Sequence, residues 1–261
     1  MAEEMSQNPE RHKKSKGGEN PYLFAAEQLG ARQEFEKKVH EYLVGPKTPE
    51  DYIALCMWEV EAFNKAFKEK NGRLPLPGDI EKLLPESELT QAAIELIPKL
   101  KNLGTRLAVV SSGFNYLVQP NARALGIDED NVYANDLKYG DEEQGLTNVE
   151  VNVSGDKVTT LELVSTNFNS LGIDRDKIAY IDDNKWGEKG MSSILSNGGH
   201  VFYLGNDNEK DEPLLMEDMM RKHSNFYEIK SLTDIASHSS VVGDKIKGMI
   251  FDADGTLIDT K

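Results

Sequence analysis

The sequence predicts an α/β protein built on a doubly wound parallel sheet. Short apolar runs alternate with amphipathic stretches along most of the 261 residues, which is the pattern of strands that are each followed by a helix. Three of these runs end in polar side chains, at Ser111, Asp183 and Asp252. Because open α/β sheets bind ligands beyond the carboxyl ends of their strands, we expect these residues to face one crevice.

The predicted elements follow one another in a regular order. Apolar positions recur at helical spacing from residue 21 to 67 and predict a small helical cap, assigned to residues 19–85, whose last part is rich in Gly and Pro. The core, residues 86–261, is predicted to contain a helix near 89–103, the strand 107–110, a helix over 116–125, a strand near 132–134, an irregular segment reaching Gly155, a helix ending at Leu171, the strand 177–183, a short helix, the strand 200–204 and a helix near 214–222.

Composition favours a cytoplasmic protein that binds neither nucleic acid nor a membrane. The formal net charge of -15 opposes contacts with nucleic-acid phosphates, which require basic patches. No apolar stretch is long enough to span a bilayer. The single cysteine, Cys56, permits no internal disulfide and is interpreted as a packed thiol. The polar start, residues 1–18, lacks an apolar signal core and is predicted to be a flexible leader. Composition leaves the oligomeric state open.

The most informative motif is the run MIFDADGTL at residues 249–257. Asp252 follows three apolar residues, so it is predicted to end a buried strand. Asp254 can share the same crevice, because Gly255 allows the backbone to bend sharply. Two carboxyl groups this close can have different roles, in which one acts as the nucleophile and the other transfers protons. For a bare pair of acids, the alternative is an ordinary acidic turn after an edge strand.

With its flanking strand, this motif closely resembles the DxDGT motif of the haloacid dehalogenase superfamily. In that family the motif opens the chain, whereas here it lies near the last residue of the sequence. Either the chain is circularly permuted, or the motif is the severed start of another domain. We favour permutation. Ser111, Lys157, Asp183 and then Asp252 occur in the order that the family's motifs would have if its chain were closed into a circle and opened at a different point. Residues 19–31 also resemble the segment that follows the motif in phosphoserine phosphatase-like members.

The resemblance implies an unusual path for the chain. Residues 245–261 would supply the central strand of the sheet, between the strand that ends at Ser111 and the strand that ends at Asp183. Residues 231–244 would link the sheet edge to that position, which is feasible because loop-closure entropy grows slowly with length.

The resemblance also implies catalytic and metal-binding roles. Asp252 would be the nucleophile, and Asp254 would be the acid and base. Mg²⁺ would be bound by Asp252, by Asp183 and by the backbone carbonyl of Asp254. Glu188 is the best match for a possible second acid, although aspartate is more usual there, and Asp182 stands where many relatives have glycine.

The implied phosphate-binding residues are Ser111, Ser112, Gly113 and Lys157. The Ser111 hydroxyl and the free amides at the start of the following helix would form an anion site, and Lys157 would neutralise the phosphate. Taken alone, a Ser-Ser-Gly turn is usually an ordinary helix cap, and a lysine at a helix start is usually solvated.

The function implied by these residues is Mg²⁺-dependent hydrolysis of a small phosphorylated metabolite through an aspartyl-phosphate intermediate. The substrate is open, because residues 48–55 lack the arginine that phosphoserine phosphatases carry for the substrate carboxylate, while Glu19 could match their amine-binding glutamate. The alternatives are a non-catalytic binding or regulatory protein and a phosphomutase or phosphotransferase of the same superfamily. The presence of Ser111, Lys157 and Asp183 at matching places favours a phosphatase over a non-catalytic remnant.

Overall fold

The computed structural model describes most of the core and of the helical region before it. The described residues are 21–44, 48–84, 87–183, 187–205, 213–238 and 245–259. The predicted leader, Glu19 and residues 239–244 of the predicted link lie outside them.

Helices cover both faces of the sheet and form a separate layer that precedes it in the chain. In the described residues they are α1 (Pro21–Gln28), α2 (Arg32–Val44), α3 (Pro49–Asn71), α4 (Gln91–Asn102), α5 (Asn115–Ala124), α6 (Val158–Ser170), α7 (Glu188–Ser196), α8 (Pro213–Lys222) and α9 (Thr233–Ser237). The 23-residue α3 has a capping box between Thr48 and Asp51 and a left-handed Gly72 at its end. No helix among these residues is long and apolar enough to cross a membrane.

Seven strands form the main sheet, and two short strands pair beside it. The strands are β1 (Glu88–Leu89), β2 (Arg106–Phe114), β3 (Val132–Tyr139), β4 (Leu146–Glu150), β5 (Ile178–Asp182), β6 (His200–Leu204), β7 (Phe226–Ile229), β8 (Gly248–Phe251) and β9 (Ile258–Asp259). Their order in the main sheet is β4-β3-β2-β8-β5-β6-β7, and β1 pairs with β9. All neighbours in the main sheet are parallel except β3 and β4. The predicted α/β fold class is therefore confirmed.

Strand β8, the last strand of the main sheet in sequence order, lies at the centre of this sheet. Phe251 of β8 pairs in parallel with Val109 of β2 on one side and with Ile181 of β5 on the other. Met249 and Phe251 pack in one apolar layer, and Ile250 packs in the opposite one against helix α6. An uninterrupted apolar strand is expected where both faces are covered by helices. The sequence predicted this position for the strand, while the permuted origin of the order stays a prediction.

The segment after β3 was expected to be irregular, but part of it forms β4. This strand pairs with β3 in an antiparallel hairpin at one edge of the sheet. The pairing is interrupted between Lys138 and Tyr139, whose partners are Asn148 and Leu146. The extra residue, Thr147, lets Leu146 and Val149 face the same apolar layer although they are three residues apart. Simple alternation of apolar residues is therefore missing from β4, and the sequence did not reveal the strand.

The sheet also has one more strand than expected at its opposite edge. Strand β7 adds to β6 in parallel, and the short helix α9 packs Ile235 into the core within the segment that was predicted to be a link. Both elements are only four or five residues long, which is too short for apolar periodicity to reveal them.

Helices α1, α2 and α3 form the layer predicted as a cap, although its domain limits stay a prediction. Their core includes Phe35 and Phe63, whose ring centroids are 4.6 Å apart. The layer joins the sheet through the hairpin: Asn64 Nδ2 of α3 donates to the carbonyl of Leu146 over 2.6 Å, and the Leu146 amide donates back to Asn64 Oδ1 over 3.0 Å.

Removal of residues 245–261 should abolish the cooperative thermal transition. The deletion takes the hydrogen-bonding partner from both β2 and β5 and removes the buried side chains of Met249, Ile250 and Phe251, each worth about 1.5–3 kcal/mol of burial. Circular dichroism during heating measures the effect, with the exposed-site variant Asp130→Asn as a control that should melt like the parent. An unchanged melting transition of the shortened chain would contradict the central role of β8.

Candidate active site

Alternation along neighbouring strands brings two carboxyl groups to the same side of the sheet. Phe251 pairs with Ile181, and the next residues along the two strands are Asp252 and Asp182. Because successive side chains point to opposite faces, both carboxyl groups project toward the layer that holds Ile250 and α6. Both residues are buried. The Asp252 amide still donates to the carbonyl of Ile181 over 2.8 Å, so the pairing of the strands continues through this position.

The ammonium group of Lys157 lies between these two carboxyl groups. Lys157 Nζ is 2.9 Å from Asp252 Oδ1 and 3.2 Å from Asp182 Oδ2, and the residue is buried. Lys157 precedes α6 with a φ of 58°, the one left-handed non-glycine backbone among the described residues. That conformation costs on the order of 1–2 kcal/mol. Removing one partner of a buried ion pair leaves an uncompensated charge and costs about 3–5 kcal/mol, which is more than this strain.

Tyr180 fixes the orientation of the same group of side chains. Its hydroxyl donates to Asp182 Oδ2 and accepts from Lys157 Nζ over 3.3 Å. Tyr180 is fully buried two residues before Asp182 on β5, so both side chains project toward the same layer. Asp182 is thereby held against Lys157. The sequence analysis noted Asp182 only as a departure from the family pattern, and its contact with Lys157 depends on tertiary structure.

A third carboxyl group completes a cluster with the donor chemistry of a magnesium site. Oxygens of Asp182, Asp183 and Asp252 lie within 4.8 Å of one another. The donors are carboxylate oxygens, which Mg²⁺ prefers. Asp182 Oδ2 accepts from both Lys157 and Tyr180, and Asp252 Oδ1 contacts Lys157, while the assignment of Asp183 and Asp252 as metal ligands stays a prediction.

One ammonium group does not balance the three clustered carboxyl groups, and the pKa values of Lys157, Asp183 and Asp252 reflect this. Burial lowers the pKa of Lys157, but the charges of Asp182 and Asp252 outweigh burial and raise it well above its ordinary value. Burial raises the pKa of Asp252; Lys157 opposes this shift, while Asp182 and Asp183 add to it. Burial and then the charge of Asp182 raise the pKa of Asp183 to about 6. An additional cation would therefore stabilise the ionised carboxylates.

The turn after Asp252 approaches the Asp183 carboxyl so closely that it requires glycine. A Cβ atom on Gly255 would lie 2.0 Å from Asp183 Oδ2, and Gly255 has a φ of 75°. The next residue, Thr256, donates its hydroxyl to Asp183 Oδ1 over 3.1 Å. The Gly-Thr part of the motif thus holds the carboxyl group of another strand in position.

Asp254 lies on the open side of the turn. Asp254 is exposed, whereas Ala253 before it and Thr256 two residues after it are buried. Its carboxyl group is not among the three that form the cluster. This placement suits a residue that meets solvent and substrate, and its role as acid and base stays a prediction.

The predicted phosphate-binding segment differs in shape from the expected turn. Strand β2 continues through Ser111, Ser112 and Gly113 to Phe114, and α5 begins only at Asn115. The buried Ser111 hydroxyl accepts from the Gly113 amide over 3.0 Å, so that amide already has a partner. Pairing of β2 with β3 is interrupted after Val110 and resumes at Phe114, which pairs with Asn135, so β2 extends past Ser111. The segment is therefore extended at the strand end instead of forming a turn, and its role in phosphate binding stays a prediction.

Asn135 is a buried residue that the sequence analysis did not identify as part of the site. Its Nδ2 atom lies 2.9 Å from the carbonyl oxygen of Ser112, 3.1 Å from that of Val153 and 3.1 Å from the Tyr52 hydroxyl. Its Oδ1 atom accepts from the amides of Asn152 and Val153. One side chain on β3 thus connects the Ser111 segment, the loop that leads to Lys157 and helix α3 of the cap layer.

The remaining predicted residues are not brought into the cluster. Glu188 is the first residue of α7 and is partly buried, and it is not one of the three clustered acids. The adjacent Gly187 is close to the site, since a Cβ atom there would lie 2.3 Å from Asp182 Oδ2. Residues 184–186 and Glu19 lie outside the described residues. The possible roles of Glu188 and Glu19 stay predictions.

Comparison with known proteins identifies the architecture. No protein-family model matches the chain, and no curated protein matches it either. Among solved structures, the apo form of a phosphoserine phosphatase superposes with a TM-score of 0.56 at 20% sequence identity, over 85% of this chain and 92% of the other. The chain has the haloacid dehalogenase fold. The fold expected from the DxDGT resemblance is thus confirmed, and at this identity the likeness extends to the fold alone.

Two further structures resemble the chain less strongly. A phosphoserine phosphohydrolase-like protein from Francisella tularensis subsp. tularensis SCHU S4 has a TM-score of 0.48 at 15% identity, covering 85% of this chain and 93% of that one. A cytosolic 5'-nucleotidase IIIB bound to cytidine has a TM-score of 0.47 at 17% identity, covering 90% and 81%.

Substitution of Gly255 by alanine should displace the Asp183 carboxyl and lower stability. Gly104 is a matched control, because its φ of 73° is almost the same but its added Cβ would meet no atom within 4 Å. Gly104→Ala should therefore cost about 1 kcal/mol for the backbone alone, and Gly255→Ala should cost clearly more. Chemical unfolding of both variants measures the difference. Equal losses would show that contact with Asp183 does not constrain the turn.

Proposed function

We propose that the protein is a Mg²⁺-dependent phosphatase that hydrolyses a small phosphomonoester through an aspartyl-phosphate intermediate. The observation that carries the proposal is the contact of 2.9 Å between Lys157 Nζ and Asp252 Oδ1 at the end of the central strand. It sets an anion-binding cation beside a candidate nucleophile, in a cluster of acids with magnesium-ligand chemistry. The haloacid dehalogenase fold supports the same interpretation by analogy.

The proposed metal site consists of Asp183 and Asp252, with the backbone carbonyl of Asp254. A bound Mg²⁺ ion would supply positive charge next to the transferring phosphoryl group. Thr256 holds Asp183 through a hydrogen bond of 3.1 Å, and Gly255 leaves room for its carboxyl group. The raised pKa values of Asp183 and Asp252 support the need for such a cation.

The proposed attack is by Asp252 on phosphorus, with displacement of the substrate's alkoxide oxygen. Lys157 binds equatorial oxygens of the phosphoryl group, where negative charge spreads in a loose transition state. The Ser111 hydroxyl is the second proposed donor, as the family resemblance implies, and Ser111 lies near the end of β2, the strand that pairs with β8. Asp182 and Tyr180 keep Lys157 charged and oriented.

Asp254 is the proposed proton carrier of the reaction. It would protonate the leaving alcohol and then take a proton from the water molecule that hydrolyses the aspartyl phosphate. Its exposure supports this role, because the group must reach both substrate and water, whereas the buried Asp252 is shielded. An acid at this position favours phosphoryl chemistry over attack on a carbon–halogen bond.

Asp252→Asn should abolish phosphate release while the fold is retained, because the substitution removes the nucleophilic oxygen without changing the volume greatly. The measurement is Mg²⁺-dependent release of phosphate from a panel of small phosphomonoesters, with EDTA as the metal-removal arm. Asp130→Asn, at an exposed site far from β8 in sequence, is the matched control. Turnover at the parental rate by Asp252→Asn would refute the assignment, and a parent without turnover would favour a binding or regulatory protein.

Asp254→Asn should retain Mg²⁺ binding but lose activity by a factor on the order of 10² to 10⁴, the usual contribution of general acid–base catalysis. Mg²⁺ affinity from calorimetry separates the backbone role of this residue from the role of its side chain. A loss of less than about threefold would assign proton transfer to another group.

A further inference from the structure

One peptide group, between Ser112 and Gly113, holds the Ser111 hydroxyl. Its amide, that of Gly113, donates to Ser111 Oγ over 3.0 Å, and its carbonyl, that of Ser112, accepts from two side chains. Because a peptide group is planar and rigid, contacts that fix the carbonyl also fix the amide. The Ser111 oxygen accepts in this bond, so its own hydrogen points elsewhere and can donate to a phosphoryl oxygen.

Regular strand pairing does not fix this peptide group. The last residues paired between β2 and β8 are Val109 and Phe251. Pairing of β2 with β3 is interrupted between Val110 and Phe114, which is the stretch that contains the peptide. The two side chains that bond to its carbonyl therefore determine its position.

Asn135 of β3 supplies the first of these side chains, and it also holds the loop that leads to Lys157. Its Nδ2 atom lies 2.9 Å from the Ser112 carbonyl oxygen and 3.1 Å from the Val153 carbonyl oxygen, and its Oδ1 atom accepts from the Val153 amide over 2.8 Å. Bonds at both ends fix the orientation of this buried amide group. Val153 lies four residues before Lys157, so one side chain sets the separation between the serine segment and the lysine loop.

Tyr52 of α3 supplies the second side chain. Its hydroxyl donates to the Ser112 carbonyl over 2.9 Å and lies 3.1 Å from Asn135 Nδ2. Its ring also borders the lysine loop, because a Cβ atom on Gly155 would lie 3.2 Å from the ring. Asn135 Nδ2 has two hydrogens and three neighbouring acceptors, so loss of the Tyr52 hydroxyl still leaves a carbonyl for each hydrogen. Asn135 is thus the main support, and Tyr52 adds the contribution of the cap layer.

We propose that Asn135 and Tyr52 are positioning residues for phosphoryl transfer. Through the Ser112–Gly113 peptide they hold the Ser111 hydroxyl where it meets the phosphoryl group, and Asn135 keeps the lysine loop at a fixed distance from it. The inference rests on the proposed function, since it concerns how the phosphoryl group is bound. A displacement of about 1 Å at such a group can lower the rate on the order of 10²-fold.

The first test is a double-mutant cycle that combines Tyr52→Phe with Ser111→Ala, measured as kcat/KM for the phosphomonoester that the parent hydrolyses fastest. Tyr52→Phe removes one hydroxyl and keeps the ring. It should lower kcat/KM by about threefold to tenfold in the parent, but by less than about twofold in Ser111→Ala, where the hydroxyl that it positions is absent. Tyr139→Phe is the matched control: its hydroxyl donates to Glu81 over 2.8 Å, and its loss should change kcat/KM by less than about twofold in both backgrounds.

The second test is the same cycle with Asn135→Ala. The loss should be on the order of 10²-fold in the parent and at least about tenfold smaller in Ser111→Ala. Asn64→Ala is the matched control, because it also loses bonds to a backbone carbonyl and a backbone amide, both of Leu146. Any effect of Asn64→Ala should be equal in the two backgrounds. Circular dichroism reports folding, and if Asn135→Ala does not fold, the cycle with Tyr52→Phe decides through the shared peptide.

The outcomes separate this inference from the proposed function. An equal loss in both backgrounds for Tyr52→Phe or for Asn135→Ala would show that the residue only stabilises the fold and would overturn its positioning role. A parent without turnover would refute the phosphatase, and the cycles are then measured as calorimetric affinity for inorganic phosphate in the presence of Mg²⁺. Coupled losses of phosphate affinity would support the positioning role, whereas additive losses, or a parent that binds no phosphate, would overturn it.

Discussion

A single ammonium group, that of Lys157, contacts two buried carboxyl groups from adjacent strands, at 2.9 Å and 3.2 Å. The contact joins the start of α6 to the ends of β5 and β8, on the face of the sheet to which strand alternation brings Asp182 and Asp252. Lys157 adopts a left-handed backbone to reach this position. The strain of a left-handed backbone at a residue other than glycine persists only where surrounding contacts compensate for it.

The same electrostatic constraint links structure to chemistry. Three carboxyl groups within 4.8 Å repel one another, and burial raises the pKa values of Asp183 and Asp252. An added cation would therefore stabilise the ionised carboxylates, because the packed strands limit how far the carboxyl groups can move apart.

The cap layer is coupled to this site by polar contacts as well as by apolar packing. Asn135 bonds at once to the Ser111 segment, to the loop before Lys157 and to Tyr52 of α3. Asn64 joins α3 to the hairpin edge through both polar atoms of its amide group. Movement of the cap layer would therefore be transmitted to the Ser111 segment, because buried hydrogen bonds are costly to leave unpaired.

Local patterns in the sequence were sufficient for the fold class and for the candidate site residues. The apolar run before Asp252 indicates a buried strand, and the Gly255-Thr256 pair after it indicates a sharp turn. The sequence by itself therefore determined that Asp252 lies at the end of a strand. It also predicted the central place of β8, through the resemblance to a known family. Only the tertiary structure decided that Asp182 contacts Lys157, that β2 extends past Ser111, that β4 pairs with β3 through a bulge and that Asn135 bonds to the Ser111 segment. These features depend on strand register and on contacts between residues tens of positions apart, and such contacts leave no periodic signal in a single sequence.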